Sequence, residues 1–239
     1  MRSALLVLGL AGFWWSTTVL PIFHSASATH EIVDHIIAGE RFRPGILANV
    51  LAHLEAEPIR TVVKSSKLRA LAFVHLGIAE GQVGQEADKQ TAIAEQYVRN
   101  SISSNPMDSF LWLTLYSGSV SREGVGQNNL TFLEQSYATG PREGWIALRR
   151  NRLALVAFPL LESRMAKSAI SEFCNIVDSE FIDEAFTSLV GVGWPHRDQL
   201  VAGLECADIS ARERLAQRLA DEGIKISLPG VEVRKRSWY

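Results

Sequence analysis

Asn105-Pro106-Met107-Asp108-Ser109-Phe110-Leu111-Trp112 and, 35 residues later, Gly140-Pro141-Arg142-Glu143-Gly144-Trp145-Ile146-Ala147 follow one local pattern. Each begins with a turn residue and a proline, continues with an acidic residue, and opens into an aromatic and apolar run. Asn105 suits a helix cap, Pro106 the first helical position, and Asp108 the positive end of the helix dipole. Pro141 and Glu143 repeat that arrangement. The interval is close to the ~34 residues of helix–turn–helix repeats, so the echo predicts helix pairs stacked on one another.

Working outward, the chain reads as one helix after another, with no sustained alternation of period two. Ile46, Leu47, Val50, Leu51 and Leu54 keep core spacing after Pro44, and Leu68, Leu71, Ala72, His75, Leu76 and Ala79 form a further stripe. A helix is predicted over 87–103, another over 129–137, and two more around Met165–Ile176 and Phe181–Leu189. Pro195 opens a segment reaching Cys206, and Ser210 with Glu213 forms a capping box for a last helix that Gly223 ends. The fold class expected is all-α: stacked helix hairpins of α-solenoid type following one N-terminal transmembrane or signal helix. The organisation expected is 1–28 anchor or signal, 29–223 repeat-like domain, and 224–239 extended tail.

Ser3 to Phe23 carries no charge. A helix of ~20 residues rises ~30 Å and crosses a hydrocarbon core. Arg2 precedes it, which leaves the N-terminus in the cytoplasm and the body beyond the membrane. Ala26-Ser27-Ala28 offers the alternative of cleavage before Thr29 and release to the periplasm. The chain has 24 basic and 26 acidic residues and a net charge of −2, a balance unlike that of a nucleic-acid binder. Cys174 and Cys206 are too few for a disulfide framework. Two buried thiols are the reading favoured; one bridge stays open if the body is extracytoplasmic.

The proline entries, with Trp112 and Trp145 downstream and Tyr97 and Tyr137 upstream, resemble tetratricopeptide-like repeats over roughly residues 60–180. The anchor together with SYATGPREGWIALRRNRLAL resembles a group of membrane-anchored alphaproteobacterial envelope proteins. That resemblance implies an accessory role in cell-envelope or exopolysaccharide assembly, with protein partners and polysaccharide nearby, and implies no catalytic residue.

On the helix after Glu143, Trp145, Leu148, Leu153, Leu155 and Val156 share an arc at 100° per residue, and Arg149 and Arg152 project from it while Arg150 points elsewhere. A charge on an apolar face needs a partner, so Glu134, Glu95 or Asp108 is expected to pair with them. The alternative is an anion-binding notch. Trp112, Trp145, Arg149 and Arg152 are therefore the candidate binding residues. Glu95-Gln96-Tyr97 and Glu134-Gln135-Ser136-Tyr137 read as repeat packing, each tyrosine setting its hydroxyl at a rim.

His30 and His35 are five apart where one helical face needs four, so no metal site is expected. Asp178, Glu180, Asp183 and Glu184 form an acidic patch from which a glycan-acting enzyme would draw its general acid. No nucleophile elbow, phosphate loop or dinucleotide fingerprint occurs, so no catalytic residue and no cofactor is assigned. The function expected is a membrane-anchored extracytoplasmic scaffold or adaptor. A glycan-acting helical enzyme and a secreted periplasmic binding module are the alternatives.

Overall fold

A computed structural model describes residues 9–10, 12–17, 33, 35–37, 40, 42, 45–56, 58, 64–141 and 143–231. No strand occurs among the described residues, and most of them are helical. The chain divides into two compact units, 1–106 and 107–239.

In the first unit, α1 (Ile46–Ala56), α2 (Lys64–Glu80) and α3 (Gln85–Ser104) follow the predicted stripes. α2 and α3 pack as a hairpin through a four-residue link in which Gly84 has φ 67°, a left-handed angle that glycine adopts without a Cβ penalty. Ser101 Oγ, near the end of α3, donates to the Ser65 carbonyl at the start of α2 at 2.9 Å. Between these ends His75 is buried, its Nδ1 2.7 Å from Gln90 Oε1 and its ring stacked on Tyr97. Of the Ser3–Phe23 run, Gly9, Leu10 and Gly12–Thr17 are described, and they are helical. The rest of the predicted anchor, the Ala26–Ala28 triplet and His30 lie outside the described residues. No helix among the described residues is long and apolar enough to cross a membrane.

The second unit holds both halves of the echo. α4 (Ser109–Glu123) pairs with α5 (Gln127–Thr139), α6 (Gly144–Ala157) pairs with α7 (Ser163–Asp178), and the two first helices, α4 and α6, touch each other. The entries differ from expectation in detail. The helices begin at Ser109 and Gly144, and each proline lies in the turn before. Asp108 (φ −80°, ψ 98°) and Glu143 (φ −83°, ψ 94°) are the N-caps, with matching backbone angles. Asp108 accepts a hydrogen bond from the Leu111 N–H at 3.2 Å, satisfying a donor that the first turn leaves open. Glu143 holds nearly the same backbone angles without a side-chain cap bond, its carboxylate instead accepting from Ser109.

Gly140 joins the two pairs. A Cβ there would stand 2.3 Å from Ser109 Oγ, so only glycine permits the approach. Ser109 Oγ in turn donates to Glu143 Oε2 at 3.1 Å.

Beyond α7 come α8 (Ile182–Val190), α9 (Arg197–Ala202) flanked by 3-10 turns at Trp194–His196 and Gly203–Cys206, and α10 (Ile209–Asp221). Both α10 and the Gly203–Cys206 turn pack on α7, whose Ala169, Phe173 and Val177 are fully buried. The residue capping α10 is Asp208 rather than Ser210 of the expected box. Part of the tail is ordered: Leu228 is buried, and the Arg212 guanidinium donates to the Pro229 carbonyl.

The two cysteines are not free thiols. Cys174 of α7 and Cys206 are joined in a disulfide with Cα atoms 6.3 Å apart. The intervening helices α8 and α9 have only nine and six residues, which brings the chain back onto α7 within a 32-residue loop. Gly203 seals the return, since a Cβ there would lie 2.2 Å from Ile170 Cγ2.

Candidate functional site

The buried face of α6 is rotated from the one expected from hydropathy, keeping only Leu155 of the expected arc fully inside. Ile146, Arg150, Asn151, Ala154, Leu155 and Ala157 point inward. Trp145 (51% exposed), Arg149, Arg152 and Val156 share the outward arc, while Leu148 and Leu153 are half-buried. Alanines at 154 and 157 are small enough for α6 to sit close to its neighbours, and that closeness lets the long Arg150 side chain reach across them.

Arg150 is 0% exposed, and its guanidinium makes five hydrogen bonds inside the fold, the longest from Nη1 to Ser136 Oγ at 3.3 Å. Nε and Nη2 donate to Glu172 Oε1 of α7 at 2.9 and 2.6 Å. Nη2 also reaches the Gly140 carbonyl at 3.0 Å, and Nη1 the Ser136 carbonyl at the end of α5 at 2.7 Å. The guanidinium lies over the Tyr137 ring, 4.2 Å from its centre, a cation–π contact in a desolvated place. Tyr137 Oη donates to the other carboxylate oxygen, Glu172 Oε2, at 2.7 Å. Asn151 Nδ2 donates to the Ala169 carbonyl at 2.7 Å, a second tie from α6 to α7.

One arginine thus fastens α5, α6 and α7 at a single point. Burial pushes the Glu172 carboxyl above its ordinary value, outweighing the opposite pull of Arg150, Tyr137 and Asn151. Burial, and then the neighbouring Glu172 charge, holds the Tyr137 phenol well above its usual range. Both carboxylate oxygens are engaged inside the fold and Glu172 is 5% exposed. The cluster is a clamp that joins α5, α6 and α7.

The clamp forms the floor of an open groove of about 870 Å³ between α7 and the α5–α6 turn. Its walls differ in character. Gly144, Ala147 and Pro141 make a shallow, small-residue wall. The facing wall of α7 presents Lys167, Ser171, Asn175 and Ser179, with Phe181 at the end.

The residues expected to bind fall into two places. Trp145, Arg149 and Arg152 share the outer arc of α6, and Trp145 leans on Phe110 with ring centres 4.7 Å apart. Trp112 is half-buried and stacks on Phe132 of α5. Arg149 and Arg152 do not project from a buried face, and the expected acids are engaged elsewhere. Glu134 pairs with Arg164, Glu95 with Arg99, and Asp108 caps α4. Nor does Tyr137 place its hydroxyl at a rim; it points inward onto Glu172.

The acidic patch is exposed, and three of its four carboxylates are tied down. Glu180 pairs with Arg214 at 2.6 Å, Asp183 with Arg218 at 2.9 Å, and Asp178 accepts from the Asp208 N–H at 2.8 Å. These contacts fix α8 and the turn before it against α10, and Asp178 also lines the α7 groove. Among the described residues, no group of three His, Cys, Asp or Glu side chains is placed to hold a metal ion.

No family model matches the chain, and neither a curated protein nor a solved structure shows significant similarity to it.

Proposed function

We propose that this chain is a membrane-anchored, extracytoplasmic scaffold or adaptor whose tetratricopeptide-like helix pairs present the α7 groove to a component of an envelope or exopolysaccharide assembly. The observation that carries the reading is the Cys174–Cys206 disulfide, because such bonds form and persist in oxidising compartments. The uncharged run Ser3–Phe23 behind Arg2 supports it as the segment that holds the body at the membrane. The clamp supports a binding role: it rigidifies three helices around an open groove. A glycan-acting enzyme would need a general acid, and the acidic patch supplies exposed carboxylates, two of them paired with arginines.

The test is capture of the tagged full chain from membranes after cross-linking in intact cells, compared with a Ser171→Leu/Asn175→Leu variant that alters the groove alone. A defined partner held by the native chain and lost from the variant is the expected result. A chain that elutes alone as a monomer in both cases refutes the adaptor. Edman sequencing of the same sample separates the anchored form from a cleaved binding module, whose first residue would be Thr29.

A further inference from the structure

α7 carries two ridges with opposite duties. Its inner ridge, Met165, Ala169, Phe173 and Ile176 with Glu172 beside them, is buried. Its outer ridge is Lys167, Ser171, Asn175 and Ser179, spaced four residues apart, and all four are exposed into the groove. Four-residue spacing turns ~40° per step, so the four side chains wind around the groove side of the helix over ~18 Å rather than standing in a straight row.

None of these four side chains is engaged in a hydrogen bond or ion pair among the described residues, although other polar side chains of the same helix are. Arg164 pairs with Glu134, Ser168 bonds back to the Arg164 carbonyl, and Glu172 is held by the clamp. A hydroxyl or carboxamide both donates and accepts. A set of three, with a cation at one end, therefore matches a ligand whose own groups also do both at short, regular intervals.

Phe181 closes the far end of the ridge, 41% exposed and lining the groove. An aromatic ring exposed to this extent can pack against the C–H face of a sugar. The opposite wall is formed by Gly144 and Ala147. Those residues give no deep pocket of the kind that anchors a peptide side chain and concentrates its binding energy.

We infer that the α7 groove binds a short oligosaccharide strand, its hydroxyls bridging Ser171, Asn175 and Ser179, one ring against Phe181, and an anionic substituent, where present, toward Lys167. This deepens the scaffold reading by naming what the body holds, and it does not depend on where the body resides.

The experiment is isothermal titration of the full chain in nanodiscs free of glycoside detergent. The probes are cellotetraose, tetragalacturonate and an unstructured glycine–serine–alanine decapeptide. Expected is binding of at least one oligosaccharide, weakened about tenfold, or 1.4 kcal/mol, by Ser171→Leu and by Asn175→Leu, with thermal unfolding unchanged. Phe181→Ala weakens it similarly. Three results overturn the inference: neither oligosaccharide binds, binding survives both ridge substitutions, or the decapeptide binds more tightly than either sugar. Co-capture of a protein partner alongside a silent titration would leave the scaffold standing and remove only the ligand.

Discussion

Replacing Arg150 with methionine keeps a long side chain in the interior and removes the charge. Three groups lose a donor: the Glu172 carboxylate, left with the Tyr137 hydroxyl, and the carbonyls of Ser136 and Gly140. Removing one member of a buried pair costs about 3–5 kcal/mol, because the remaining charge stays desolvated. At roughly 3–5 °C per kcal/mol for a unit of this size, the melting temperature at pH 8 falls by ~10–20 °C. The loss depends on pH, and its sign follows from Glu172. Burial already raises that carboxyl, and Arg150 is the largest influence pulling it down, so the variant raises it further. A raised acid contributes stability that is complete below the unfolded value and lost as pH rises through the folded value. The gap between native and variant therefore opens as pH climbs from the native Glu172 value toward the higher variant value, and it is smaller at pH 5 than at pH 8. Arg150→Met/Glu172→Leu, which removes both charges, recovers most of the loss. Circular dichroism melts at the two pH values measure all of this. A drop under ~1 kcal/mol at pH 8, or equal drops at both pH values, refutes the clamp.

Other substitutions test neighbouring parts. Gly140→Ala drives a Cβ against Ser109 and costs about 1–3 kcal/mol in urea unfolding, with part regained in Gly140→Ala/Ser109→Gly. Arg149→Leu, on the exposed arc of α6, shifts stability by no more than about 0.5 kcal/mol. Tyr137→Phe leaves Glu172 Oε2 without its donor and costs about 1–3 kcal/mol, read from the same unfolding curves. Cys206→Ser opens a 32-residue loop and lowers stability by about 4 kcal/mol through the unfolded chain, measured with and without reductant in the native protein.

Helices, links and the proline echo are visible in the sequence because they are local. Gly84 marks a link whose backbone angle favours glycine, Gly140 a close approach that a Cβ would block, and Asp108 and Glu143 sit at the N-cap positions. The clamp was harder to see because it depends on two helices at once. Hydropathy favours Trp145, Leu148 and Val156 as the inner face of α6, and the helix instead turns inward a stripe of Ile146, Arg150, Ala154 and Ala157. The available signal is on α7, where Glu172 interrupts the run of Met165, Ala169, Phe173 and Ile176. A buried carboxylate on one helix calls for a cation on the face opposite, and only Arg150 lies on the buried face of α6. The disulfide escaped for a different reason: the length of the path from Cys174 to Cys206 depends on how short α8 and α9 are. Loop spacing alone does not show that a chain folds back onto the helix it left. The polar ridge at Lys167, Ser171, Asn175 and Ser179 looks in sequence like any solvated face, and becomes distinctive only when Gly144 and Ala147 are found across from it.

The redox state of the two cysteines in the living cell bears on the central claim most directly. Cells are quenched in acid and alkylated with N-ethylmaleimide without reductant, and the digested chain from the membrane fraction is weighed by mass spectrometry. A body folded on the oxidising side of the membrane yields the peptides of Cys174 and Cys206 linked to each other and unalkylated. Two singly alkylated peptides would place the body where thiols stay reduced and contradict an extracytoplasmic scaffold.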